Sequence, residues 1–185
     1  MASQDYFRAL LDVATVVTSS LDPAIVLQKI TEQTARNMGC KASTIRLLDR
    51  TGKILLASAA YGLSSGYMRK GPVEVAKSGM DSDVLSGRVI HVRDVCADPR
   101  FQYPANAHEE GLVSVLSAPL TVEGRPIGLL RVYSSTERDF SEEEKAFLQG
   151  VANISAIAIE NARMNAALRC KYELLTSFNN RIYED

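Results

Sequence analysis

A chain of 185 residues, 46% hydrophobic and 23% charged, suits one soluble globular domain that can bury a core without disulfides or metal. Its 21 basic and 22 acidic residues are well mixed and leave a net charge of −1, which argues against nucleic acid or an anionic membrane as a general partner. Cys40, Cys96 and Cys170 offer no disulfide framework or CxxC spacing, no apolar run nears the ~20 residues of a membrane span, and no secretory leader opens the chain, so a reducing cytoplasm is the expected setting.

Residues 5–19 place Tyr6, Leu10, Val13 and Val17 on one helical stripe, with Phe7, Leu11 and Ala14 on a second beside it. A second helix follows in "SLDPAIVLQKITEQTARNMGC", with Asp22 as cap, Pro23 in the first turn and Gly39 at the end. Its expected buried face is Ile25, Val26, Leu27, Ile30, Thr34 and Met38. The period then changes. "STIRLLD" (43–49) and "KILLASAAYG" (53–62), joined by "RTG", read as a hairpin, and "RVIHVRDV" (88–95) as a further strand. "LVSVLSAPLTV" and "RPIGLLRVYS" flank Glu123-Gly124 as a second hairpin. Between the hairpins lies an irregular, Gly- and Pro-punctuated connection, about 63–111, with a short helix expected around Asp81–Ser86. Connections of that length in a compact domain are usually functional. In the last helix Ser141 and Glu144 form a capping box, and the pattern runs to about 170, with 178 as an outer limit. At 1.5 Å per residue the run to 170 is roughly 45 Å. Phe147, Val151, Ile154 and Ala158 form one stripe; Leu148, Ala152, Ser155, Ile159 and Ala162 form another. One stripe can cover the sheet and the other needs a partner, which a homodimer would supply.

Helices at both ends of an antiparallel sheet make an α+β two-layer fold. If both helical ends share one sheet face, only the 63–111 connection covers the other. A sheet face roofed by loops and short helices is a natural small-molecule pocket.

Four stretches carry a family resemblance: "ASTIRLLDRTGKILLASAAYGL", "SGRVIHVRDVCADPRF", "GLVSVLSAPLTVEGRPIGLLRVYS" and "RDFSEEEKAFLQGVANISAIAIENARM". In this order the chain resembles the GAF domain family of sensory modules over about residues 5–170. The resemblance implies a central six-stranded antiparallel sheet with the terminal helices on one face and a ligand, in cyclic-nucleotide and bilin-binding members, on the other. It implies one domain over 1–185 (core about 20–165), with helices 5–19 and 141–170 in a dimer bundle passing signals to a partner or output domain. Special subclasses fit less well. The Asn-Lys pair and Phe-x-x-x-Asp-Glu of cyclic-nucleotide members correspond to Ser134-Ser135 and to Phe140, Glu144 and Lys145, so cyclic nucleotides are not expected. The clustered cysteines of free methionine sulfoxide reductases are missing around "FQYPANAHEEG", where only Cys96 is near. Asp94-Val95-Cys96-Ala97 lacks the Phe of an Asp-x-Cys-Phe bilin motif, so no bilin is expected either. Cys96 reads as loop filler, and the cofactor remains unknown, with none expected.

Strand alternation puts Thr44 and Arg46 on one face. Arg46 either spreads its stem over the sheet with its head in water or holds an anionic ligand. Ser58 and Ala60 are expected to share that face with Leu56, and of Ser114 and Ser117 at most one can line it. The candidate ligand-binding set is Thr44, Arg46, Ser58, Ala60, Asp83, Val84, His108 and Ser114, with no catalytic or metal-ligating group. Three readings stay open: a ligand-binding regulatory module, a dimerisation module with a vestigial pocket, and a Cys96-dependent enzyme or photoreceptor.

Overall fold

The structure is a computed structural model that describes residues 3–18, 20 and 22–182, with side chains for 5–17, 20 and 22–173. Positions 1, 2, 19, 21 and 183–185, reached by the expected domain limits and first helix, lie outside the described residues.

Local chemistry fixes each boundary. The Asp22 carboxylate accepts the Ala24 N–H at 2.9 Å, and Pro23 opens helix α2 (Pro23–Asn37), which follows α1 (Ser3–Thr18). Strands β1 (Ala42–Leu48) and β2 (Ile54–Tyr61) are joined by a turn held by Asp49, whose Oδ1 accepts the amides of Lys53 and Ile54 at 3.0 Å each. The connection that follows is more ordered than its Gly and Pro content suggests. It holds α3 (Ser65–Met68), a two-residue edge strand β3 (Val73–Glu74), a 3-10 turn at Val75–Lys77, α4 (Gly79–Leu85), the short β4 (Ile90–Val92) and α5 (Pro104–Glu109). Next, β5 (Ser114–Val122) turns into β6 (Arg125–Ser134) through Glu123 and Gly124, both left-handed at φ 49° and 76° as a two-residue hairpin requires. Ser141 and Glu144 form the expected capping box: Oγ of Ser141 accepts the Glu144 N–H at 3.2 Å, and Oε2 of Glu144 accepts the Ser141 N–H at 2.8 Å. Helix α6 (Glu142–Ile182) runs 41 residues, about 62 Å at 1.5 Å each and longer than expected.

The six strands pair antiparallel in the order β3-β2-β1-β6-β5-β4. Their alternation divides the core. Ile45, Leu116, Ala118, Leu120, Leu130 and Val132 face the helices, packing with Ile30 of α2 and Leu148, Val151 and Ala152 of α6. The opposite face carries Val115, Leu129 and Tyr133, covered by Tyr67, Met80, Val84 and Phe101 of the long connection. The α+β fold is therefore the expected one, with α1 seated on α2 and α6.

Three details differ from expectation. A register shift between Ile45 and Arg46 pairs Arg46 with Ala57 and Ile45 with Ala59, leaving Ser58 unpaired and exposed. That bulge changes the phase of β2, so Leu56 sits opposite Leu47 on the helix side. Ile25, expected in the core, is 48% exposed. The two stripes of α6 are both largely intramolecular: Phe147, Leu148, Val151, Ala152, Ser155 and Ile159 are all buried, because α1 covers what the sheet does not. Tyr6 and Phe147 rings lie 4.9 Å apart, and a Cβ on Gly150 would meet Leu10 Cδ1 at 3.1 Å. No described helix is long and apolar enough to cross a membrane.

Gly128 marks where two central strands touch. A Cβ there would lie 2.1 Å from the Arg46 carbonyl oxygen and 2.9 Å from Leu47 Cα. Neither is a flexible tip that can move aside. Gly128→Ala is expected to cost at least the ~1–3 kcal/mol of an overpacked core, read as a fall of several degrees in the thermal midpoint. An unchanged midpoint would refute this close approach.

Candidate functional site

On the roofed face the strand register builds a row of polar groups. Thr44 of β1 lies opposite Arg131 of β6, which lies opposite Ser117 of β5. Arg46 is two residues from Thr44 on the same face, so the two arginines are diagonal neighbours on adjacent strands. Both are buried, each 4% exposed. Their circumstances differ. Arg131 donates from Nε to Ser117 Oγ at 2.7 Å and pairs through Nη2 with the Asp81 carboxylate, which is 2% exposed. Its guanidinium carbon also lies 5.9 Å from the ring centres of Phe101 and Tyr133. Burial opposes this charge, but Asp81, Tyr133 and Tyr67 outweigh burial and raise the Arg131 pKa above its ordinary value. Arg46 has no ion pair among the described residues, and its one side-chain hydrogen bond there is to the Leu55 carbonyl at 3.4 Å.

The roof adds a third cation. Lys70, just after α3, holds its Nζ 3.4 Å from the centre of the Tyr67 ring and 5.3 Å from that of Tyr103. Burial, then Arg46 and Arg131, depress its pKa to about 6. Two hydroxyls complete the chamber. Tyr133 lies 3.4 Å from Thr44 Oγ1, while the buried Tyr67 hydroxyl has no hydrogen-bond partner among the described residues. Tyr67's pKa is raised by burial and by Tyr133. Tyr103 donates to the Pro72 carbonyl at 2.7 Å, and Gln102 accepts the Glu74 N–H at 3.1 Å, which ties the roof's two halves together. The space left between Lys70, Asp81, Phe101, Tyr103 and Arg131 is about 10 Å³, the size of a single water site.

The sequence-derived residues fall around this chamber unevenly. Thr44 and Arg46 occupy the roofed face, and Ala60, opposite Thr44, shares it half-buried. Ser58 is in the bulge. Val84 is buried with Leu55, Val73 and Leu129 beneath the roof. Asp83 points to the outer side of α4 and pairs with Arg88 and with Arg100 (3.1 Å), so the carboxylate that enters the chamber is Asp81 instead. His108 is exposed on α5. Ser114 is engaged by backbone, donating to the Arg93 carbonyl and accepting the Arg138 N–H at 3.0 Å. Of the two serines weighed, Ser117 lies on the roofed face. Arg131, Lys70, Tyr67 and Asp81 were not singled out from sequence. Arg131 carried a usable signal, a charge inside an apolar strand like that of Arg46; Lys70 and Asp81 carried none, since only the fold brings them to the sheet.

Cys96 is exposed on its loop, where Asp94 Oδ1 accepts the Cys96 backbone N–H at 2.8 Å. Asp94 thus shapes the turn rather than addressing the thiol. Among the described residues no group of three or more His, Cys, Asp or Glu could hold a metal ion. A larger hollow of about 240 Å³ lies on the helical side among Val17, Pro23, Val26, Leu27, Ile159 and Ala162, but no charged residue lines it.

Comparison with known proteins agrees with this architecture. No curated protein matches the sequence. The GAF domain of a phosphoenolpyruvate-protein phosphotransferase from Coxiella burnetii is 19% identical, with a TM-score of 0.81 over 90% of this chain and 99% of that one. The corresponding domain from Acinetobacter is 22% identical, with a TM-score of 0.75 over 89% and 97%. A free methionine-R-sulfoxide reductase from Neisseria meningitidis, solved with its substrate, is 21% identical, with a TM-score of 0.73 over 86% and 91%. At these identities the likeness is one of fold. The sequence itself matches the family model described as GAF domain over residues 20–160, three quarters of its length, and the chain therefore belongs to the GAF domain family.

Proposed function

We propose that this chain is a non-catalytic sensory module that binds a small anion between the Thr44/Arg46/Arg131 face of the sheet and its roof, and signals through its terminal helices. GAF domains are sensory and regulatory modules that bind small molecules, and relatives in fold include domains of a sensor histidine kinase and a methyl-accepting chemotaxis protein. The observation that carries the reading is Arg46. A buried guanidinium without a counter-charge is expensive, and such groups are ordinarily paired. An acidic ligand group would supply the missing partner.

A thermal-shift screen of small carboxylates, phosphate and sulfate, followed by titration, tests this. At least one anion is expected to stabilise the protein, and Arg46→Met to weaken it roughly tenfold to a hundredfold, the worth of one charge-assisted hydrogen bond. Unchanged affinity removes Arg46 from the site; a ligand mapped onto the helical side overturns the assignment.

Lys70 makes the same site pH-sensitive. It faces the Tyr67 and Tyr103 rings, Arg46 and Arg131 on the sheet, Asp81 on α4 and Glu110 after α5. With its pKa depressed to about 6, it is largely neutral at neutral pH in the free protein. A bound anion favours the charged form and raises that pKa, so binding takes up a proton. Affinity is therefore full below about pH 6 and declines as pH rises from there toward the bound-state value. Sulfate, whose charge is constant over this range, should bind more weakly at pH ~8 than at pH ~6, by up to about a hundredfold. A flat profile would exclude Lys70.

Signalling through helices needs a second copy or an output domain, and α6 favours the former. Ile154, Ile157, Asn161, Met164 and Leu168 recur at alternating spacings of three and four, the seam of a two-stranded coiled coil with one polar position. Ile157 is 60% exposed, Met164 55% and Leu168 63%. Ile157→Glu should convert a dimer to a folded monomer by light scattering, whereas Ile159→Glu, at a site 4% exposed, should unfold the domain. A monomeric parent at high concentration would end the dimer proposal.

A further inference from the structure

We propose that Asp81 is the site's resident anion: an incoming ligand carboxylate replaces it on Arg131, and Asp81 leaves with α4, so that binding is read out as release of the roof segment 73–86. This rests on the anion-site reading above and adds its regulation.

Four observations carry it. First, the Arg131–Asp81 pair is the only ion pair among the described residues with both side chains buried, at 4% and 2% exposure, and it joins the central sheet to the roof. The site thus already holds a carboxylate, one supplied by the protein. Second, there is no room for another. The residual space is about 10 Å³, room for a single water. A molecule of several heavy atoms enters only if the roof moves, and Asp81 is the acidic group standing where its acid would bind. Third, the exchange has a driving force. Asp81 pairs with Arg131 alone, leaving Arg46 unpaired on the neighbouring strand. A ligand free to settle between the two guanidiniums engages both, and it meets the unpartnered Tyr67 hydroxyl as well. Ser117 keeps its bond to Arg131 Nε throughout, so the receiving guanidinium stays aimed. Fourth, the other polar ties of α4 are weak. Asp83 pairs with Arg88 and Arg100 at the surface, and Ser78 Oγ reaches the Arg100 carbonyl at 3.4 Å. Met80 and Val84, both fully buried, are the apolar anchorage that the helix must give up when the segment is released. Losing the buried pair therefore loosens the segment that it pins.

The test is titration of the full chain and its Asp81→Asn variant with succinate, with sodium chloride at equal ionic strength as control, beside hydrogen–deuterium exchange of residues 73–86. Without an internal carboxylate to compete, Asp81→Asn should bind succinate roughly tenfold tighter or more. Its 73–86 amides should exchange faster than the parent's before any anion is added, and succinate should produce the same acceleration in the parent. Equal or weaker binding by Asp81→Asn, with the parent still binding in an Arg46-dependent way, overturns the displaced carboxylate and leaves the anion site standing. No binding by either protein overturns the anion site and this inference with it. If Asp81→Asn folds only marginally, succinate must restore its melting point beyond the chloride control; absence of that rescue overturns the proposal.

Discussion

Two guanidiniums lie side by side in the interior, and only one of them has a carboxylate partner. The rest of the roofed face is arranged around that imbalance. Taking a charge out of water costs several kcal/mol, recovered only by close partners with good geometry. Arg131 has them in Ser117, Asp81 and two aromatic rings. Arg46 has a carbonyl at 3.4 Å. A third cation nearby would worsen matters, and the structure limits that cost in two ways. Lys70 rests on the face of Tyr67, and its proton is loosened by burial and by both arginines. The roof is in effect a set of aromatic and acidic groups fitted to positive charge, with one guanidinium left over.

The same strands carry the helices on their other side. Along β6, Leu129, Arg131 and Tyr133 face the roof while Leu130 and Val132 face the helix layer. Any shift of the arginines is therefore a shift of the surface on which α6 rests, because interiors packed at crystal density do not absorb displacement locally. Arg138 ties the end of β6 to those helices. Just past β6 it donates to the Met38 carbonyl at the end of α2 (3.1 Å), pairs with Glu144 in the first turn of α6, and lies 4.5 Å from the centre of the Phe140 ring. Its backbone amide bonds Ser114 at the start of β5, and Tyr6 of α1 reaches the same Glu144. Strands β5 and β6 and all three long helices thus converge within a few side chains of one guanidinium.

Much of the frame was legible because its signals are local. Asp22 and the Ser141–Glu144 box fixed helix starts, Glu123-Gly124 fixed a hairpin, and strict alternation in β1 put Thr44 and Arg46 on one face. Alternation failed in β2 because one unpaired residue reverses every side chain beyond it, and nothing in "LLASAAY" announces a bulge. The α6 stripes were misread for a related reason: the periodicity shows which residues want burial, not that α1 covers the second stripe. Asp83 lies two residues from the carboxylate that reaches the chamber, and helical phase sets the two on different sides of α4. On α4 the residues at 80, 81 and 84 turn inward, and 83 turns out toward Arg88 and Arg100. Lys70 and Asp81 are legible only once the connection is laid across the sheet.

None of the three cysteines stands in the chamber between the sheet and the roof. A thiol acting on a molecule held by the arginines would have to reach the chamber under the roof. Cys40 lies on the helix side beside Arg138 and Glu144, and burial pushes its pKa to about 11, so at neutral pH it keeps its proton. Cys170 is exposed on the outer part of α6. Cys96 is closer in sequence to the roof, but its loop turns it outward, and its Sγ lies 3.8 Å from the Pro104 carbonyl. The groups that converge in the chamber are two guanidiniums, the Lys70 amine with its depressed pKa, the Asp81 carboxylate, and the hydroxyls of Tyr67, Thr44 and Ser117. Two buried guanidiniums with only one carboxylate between them favour an anion held by charge-assisted hydrogen bonds, and no thiol stands beside them.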